Sequence, residues 1–156
     1  MTEEQQFSRA LSAALRYISY RQRSIFEVKN KLLQKHSIEV TERVLKRLEV
    51  ISLLDDEQFA YQWIESRNKL KPKSATLICR ELFKKGISAH ILEKIVNSID
   101  DDHNAHMAAI KFSRNKNSDG DNNFSIKLFN HLKRRGYNYP VIKKAIDLLK
   151  SENTNL

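Results

Sequence analysis

Ile78 to Val96 reads ICRELFKKGISAHILEKIV, and fifty residues later Leu128 to Ile146 reads LFNHLKRRGYNYPVIKKAI. In this register Ile78 meets Leu128, Leu82 meets Leu132, Gly86 meets Gly136, and Ile91-Leu92 meets Val141-Ile142. The basic pair Lys84-Lys85 meets Arg134-Arg135, with Lys133 just before it. Each stretch reads as two short helices hinged at a glycine. A helix tends to stop on a residue with positive φ, which glycine adopts without a Cβ clash. Basic residues before the stop suit the negative end of the helix dipole. Ser88 and Asn138 then cap the following helices, and Pro140 falls in a first turn, where its missing N–H costs nothing. A period in the tens of residues marks a helical repeat array.

The rest of the chain extends the pattern. Residues 1–7 read as a frayed leader. Leu11, Ala14, Leu15 and Ile18 then have helical spacing, and this helix stops near Tyr20-Arg21. Ser24 stands three before Glu27, a capping box opening a second helix with Val28, Leu32 and Leu33 on its apolar face. A third helix carries Val40, Val44, Leu45 and Leu48. Asp55 with Gln58 opens the next, and the basic link NKLKPK at 68–73 leads to Ser74, a further cap. Ala14, Tyr17, Ile18 and Arg21 correspond to Ala60, Trp63, Ile64 and Arg67, and Ser66 to Lys69 is repeated identically as Ser113 to Lys116. An arginine thus closes the first helix of every unit: Arg21, Arg67 and Arg114. The expected fold class is all-α, with three tandem three-helix repeats near 8–54, 55–99 and 102–150 in an elongated, curved array. The last link, NKNSDGDNN at 115–123, is the most polar stretch and is expected to be disordered. The tail from Ser151 is expected to fray.

Composition agrees. Three glycines and two prolines in 156 residues, with 30% charged and 40% hydrophobic residues, fit a soluble helical protein with a core. One cysteine makes no internal disulfide and fits a reducing cytoplasm. The acidic, polar start has no apolar signal region, and no apolar run approaches a membrane span.

The positive signal is charge. The net charge of +9 calls for an anionic partner: nucleic acid, an acidic protein surface or an anionic membrane. Residues 1–54 hold ten basic and six acidic side chains, 55–103 eight and nine, and 104–156 ten and four. Two basic ends around a near-neutral middle suit a partner contacted at two places. Arg21 and Arg23, then Lys69, Lys71 and Lys73, occupy equivalent links. Lys84-Lys85 and Lys133, Arg134 and Arg135 close equivalent helices. A solvated face or a dipole-stabilising helix end explains any one of these equally well, and recurrence at equivalent positions is what favours a binding role. Tyr17 and Trp63 read as core, and exposed aromatics for single-strand stacking are not evident.

Nothing in the sequence reads as a reaction centre, so no enzyme activity and no cofactor is expected. Phosphate-loop, nucleophile-elbow and zincin motifs are absent. His103 and His106 after three aspartates read as a capped helix start rather than a metal site. Asn115 to Gly120 mimics half a calcium loop, but Ile126 stands where the bidentate glutamate belongs. Cys79 reads as a buried small hydrophobe.

ALRYISYRQRSIFEVKNKL, LLDDEQFAYQWIESR at 53–67, RELFKKGI at 80–87 and HLKRRGYNYPVIKKAI at 131–146 resemble, in order and spacing, the RecX family of bacterial regulators of the RecA recombinase. The resemblance covers about Leu11 to Leu149. Gln22 stands where a proline is usual, Ser52 where glycine precedes LLDD, and His36 where glycine ends the helix. The resemblance implies a non-enzymatic modulator acting in homologous recombination and the SOS response. Such proteins lie along the helical groove of the RecA–DNA filament and limit ATP hydrolysis and strand exchange. It further implies a cytoplasmic monomer meeting single- and double-stranded DNA, directly or through the filament. The other reading is a stand-alone basic helical DNA-binding module, since stacked three-helix units resemble helix-turn-helix folds.

Overall fold

The computed structural model describes residues 1–115 and 123–154. Among the described residues there are nine α-helices and no strand. They are α1 (Glu3–Tyr20), α2 (Ile25–Leu33), α3 (Ile38–Val50), α4 (Asp56–Leu70), α5 (Ala75–Lys84), α6 (Ala89–Val96), α7 (Asp101–Asn115), α8 (Phe124–Arg134) and α9 (Tyr139–Thr154). The protein is an all-α repeat fold. The half calcium loop and the polar link fall largely on residues 116–122, outside the described residues.

Caps set the helix starts. Ser24 and Glu27 form the reciprocal box at α2. Asp55, Ser74, Ser88, Asp100 and Asn138 each accept a backbone N–H three residues on. Three boundaries differ from the sequence reading. The first residues are not a frayed leader: Thr2 and Gln5 form a capping box that starts α1 at Glu3. The basic link is shorter than NKLKPK, because α4 continues through Leu70 and places Arg67 and Lys69 on a helix. The tail is helical as far as Thr154.

Three helices stop in the same way. Ser52, Gly86 and Gly136 have φ of 60°, 79° and 88°. The following N–H reaches back to a carbonyl five residues earlier: Leu53 to Leu48, Ile87 to Leu82 and Tyr137 to Leu132. This is the Schellman closure, which satisfies carbonyls left over at a helix end. His36 does not take the left-handed conformation, and its N–H bonds to Leu32 O at 2.9 Å instead. A β-carbon at Gly86 would collide with the Phe26 side chain, and one at Gly136 would lie 2.5 Å from Leu77 Cγ and strike Ser74 Oγ. Both glycines therefore allow close approach as well as the turn.

The chain forms two compact units, Met1–Gln62 with Leu82–Leu92 and Trp63–Glu81 with Glu93–Leu156. This division runs through α4, α5 and α6. In unit 1, α1, α2 and α3 enclose Ala10, Ala14, Val28, Leu32, Val44 and Leu48. In unit 2, α7 and α8 pack with α9 around Ala105, Ala109, Leu128, Leu132, Ile142 and Ala145. Burying each large aliphatic side chain contributes about 1.5–3 kcal/mol. Each unit also holds the same joint. In unit 1, Ser24 Oγ donates to Lys85 O at 2.6 Å and Ile25 N–H to Asp56 Oδ1 at 2.9 Å. In unit 2, Ser74 N–H donates to Arg135 O at 2.9 Å and Ala75 N–H to Asp101 Oδ1 at 2.8 Å. Repeated sequence thus becomes repeated joint.

Candidate functional site

The α2 capping box places Glu27 at the centre of a charge cluster in unit 1. Its carboxylate accepts from Arg21 Nη2 at 2.7 Å, Lys85 Nζ at 2.8 Å and Ser24 N–H at 3.0 Å. Burial pushes the carboxyl upward, but the Arg21, Lys85 and Ser24 hydrogen bonds outweigh it and hold the pKa at about 2. Arg21 and Lys85 therefore share one carboxylate, which offsets part of their charge within the fold. Arg23 lies with its guanidinium carbon 3.9 Å above the Tyr17 ring and donates to Tyr17 O at 3.3 Å. Tyr17 is half-buried against the core rather than enclosed by it. Lys84 is exposed and lines a cleft of about 380 Å³ with Lys31, Lys85 and Phe26.

Unit 2 has a second carboxylate hub. Glu81 on α5 accepts from the Trp63 indole N–H and from Arg67 Nε, each at 2.9 Å, and pairs with Lys73 Nζ. The desolvation that raises this carboxyl is outweighed by those hydrogen bonds, which hold it below its ordinary range. Trp63 is thus half-buried and polar-bonded, with Arg67 4.6 Å from its ring centre. Lys69 pairs with Glu65 one turn back on the exposed face of α4.

A cleft of about 440 Å³ also lies in unit 2. Leu70, Pro72, Ala108 and Phe112 supply apolar lining, and Lys71, Lys111, Arg134 and Arg135 supply charge with no acidic residue among the lining groups. His131 packs at a tilt against Phe112, with ring centres 4.7 Å apart. Lys111 Nζ donates to Leu70 O at 2.9 Å, which fixes the end of α4 beside the cleft.

Of the sequence candidates, the fold gathers Lys71, Arg134 and Arg135 into this cleft. It joins Arg21 to Lys85 through Glu27, and Arg67 to Lys73 through Glu81. Lys69 stands apart on its own ion pair, and Arg114 and Lys133 are exposed outside the cleft lining. Sequence reasoning missed Lys111 and His131. Lys111 lies three residues before Arg114 on the same helix, so helical spacing could have found it. Its hydrogen bond to Leu70, forty-one residues away, was not legible.

The arrangement suits binding. Cys79 is half-buried, and burial with nearby Asp101 raises its thiol pKa, which disfavours the nucleophilic thiolate. Among the described residues no three His, Cys, Asp or Glu side chains group as metal ligands. No helix among them is long and apolar enough to cross a membrane.

Fold and surface together define an all-α repeat protein with cationic clefts. Residues 10–48 match the first three-helix domain of RecX and residues 55–94 the second. The chain is similar to a protein named Regulatory protein RecX from Prosthecochloris aestuarii, 33% identical over 142 residues, covering 90% of this chain and 93% of the relative. A protein of the same name from Pelodictyon phaeoclathratiforme is 34% identical over 143 residues, covering 90% and 88%. The chain belongs to the RecX family. The crystal structure of RecX from Lactobacillus salivarius has the same fold, with a TM-score of 0.79 over 94% of this chain and 98% of that one at 24% identity.

Proposed function

We propose that this chain is a regulatory protein that binds the RecA recombinase–DNA filament, in its helical groove, and inhibits ATP hydrolysis and strand exchange. The observation that carries the reading is the cationic cleft of Lys71, Lys111, Arg134 and Arg135 on a RecX-family fold. A filament on DNA presents phosphates and acidic protein surface, and clustered cations with no acidic side chain among the described lining residues raise both attraction and encounter rate. Three-helix repeats near 8–54, 55–99 and 102–150 would let one monomer touch the filament at more than one place. Such a protein works in the cytoplasm and needs no cofactor. Arg21, Arg67, Lys73 and Lys85 position the links through Glu27 and Glu81. Lys71, Lys84, Arg114, Lys133, Arg134 and Arg135 face the partner.

The test is ATP hydrolysis and strand exchange by RecA with equimolar purified protein, beside a pull-down with and without single-stranded DNA. Inhibition and filament-dependent capture are expected. Unchanged rates would sink the reading. Tight binding to naked DNA, with a steep salt dependence and no preference for the filament, would move the protein to the stand-alone DNA-binding class.

A further inference from the structure

One position in the repeat carries a different charge at each occurrence. Ser24 and Ser74 cap equivalent helices, and Val28, Ile78 and Leu128, then Leu32, Leu82 and Leu132, are buried at the same places. The residue just before the second of these is Lys31, Glu81 or His131. In unit 2 Glu81 pairs with both Arg67 and Lys73 beside the Trp63 ring. In unit 1 Tyr17 stands for Trp63, Arg23 for Lys73, and Lys31 for Glu81. Arg23 lies 3.9 Å and Lys31 Nζ 5.7 Å from the Tyr17 ring centre, and neither has a carboxylate partner among the described residues.

An aromatic face holds two cations close without cancelling their charge. Lys31 also opens onto a cleft of about 340 Å³ lined by Arg16, Tyr20 and Lys35, with no acidic side chain among its lining residues. Tyr20 is 78% exposed. Exposed aromatics therefore do exist on this chain, contrary to the sequence reading, and this one stands beside three unneutralised cations. A duplex keeps its bases stacked inside and leaves such a ring unused. An acidic peptide answers the cations but not the ring. A single strand answers both, with phosphates on the cations and a base on the tyrosine.

We infer that the Arg16, Tyr20, Lys31 and Lys35 cleft of unit 1 binds single-stranded nucleic acid. This rests on the reading that nucleic acid is part of the partner. It is tested with the full chain and a fluorescent oligothymidine, without recombinase, so its failure is distinct from unchanged strand exchange.

Tyr20→Ala should weaken oligothymidine binding about tenfold. Lys31→Glu should do the same and make the salt dependence shallower, by about 0.7 in slope for each phosphate no longer neutralised. Lys46→Glu makes the same charge change at an exposed place on α3 outside the clefts around Lys31, so it should weaken binding less than about twofold. Melting curves like wild type establish that the variants fold. Equal losses from Lys31→Glu and Lys46→Glu would show a net-charge effect only and overturn the inference. So would a silent Tyr20→Ala together with competition by polyglutamate as strong as by oligothymidine, which would mark an acidic-peptide site.

Discussion

Glu27 shows how one side chain fixes both a helix start and a pH response. Its side chain is only 11% exposed and is held by Arg21, Lys85 and the Ser24 N–H. The folded pKa of about 2 lies below the ordinary value of 4.5, so the ionised group stabilises the fold above that ordinary value. That contribution is lost as pH falls from about 4.5 towards 2. Glu27→Gln should cost about 1–2 kcal/mol at neutral pH, the charged hydrogen bonds being partly screened, and should flatten the acid limb of a plot of Tm against pH. Ser52 makes the opposite case. Its φ of 60° is a conformation in which a β-carbon is strained. Ser52→Gly removes that strain but frees the unfolded chain, leaving a net gain of about 0.5–1 kcal/mol, measurable by denaturant unfolding.

At the scale of the helix, the same joint is built twice from a cap, an aspartate and a glycine. Ser74 and Asp101 receive and anchor the α5 start, while Gly136 closes α8 against Ser74 and Leu77. Ser24, Asp56 and Gly86 do this for α2 in unit 1. Gly136→Ala adds a β-carbon where φ is 88° and the neighbouring side chains already fill the space. Strain and overpacking together should cost about 2–4 kcal/mol in chemical denaturation. The stop was readable in the sequence because a glycine after a basic pair has a local cause. The collision partners were not, because Ser74 and Leu77 lie about sixty residues earlier.

At the scale of the molecule, the basic side chains divide into those paired with a carboxylate within the fold and those left facing outward. Arg21 and Lys85 share Glu27, and Arg67 and Lys73 share Glu81. Reversing Lys73 or Lys85 to glutamate should lower Tm, because a half-buried carboxylate loses one of its two cationic partners and gains a like charge. Reversing Lys71, Arg134 and Arg135 together should leave Tm near wild type and weaken filament binding by at least about tenfold, more at low salt than at high. Sedimentation with RecA filaments measures the second effect and thermal melting the first. Full binding with all three reversed would remove this cleft from the interface.

The order of helices, their caps and the buried positions at Val28, Ile78 and Leu128 were decided by the sequence itself. A helix start or stop depends on hydrogen bonds within a few residues, and a buried face on spacing along one helix. The tertiary structure alone decided which charges cancel. Glu27 meets Lys85 across fifty-eight residues, and Lys71 shares a cleft with Arg134 across sixty-three. Coulomb energy depends on separation in space and on burial, and neither is written in the spacing of residues along the chain.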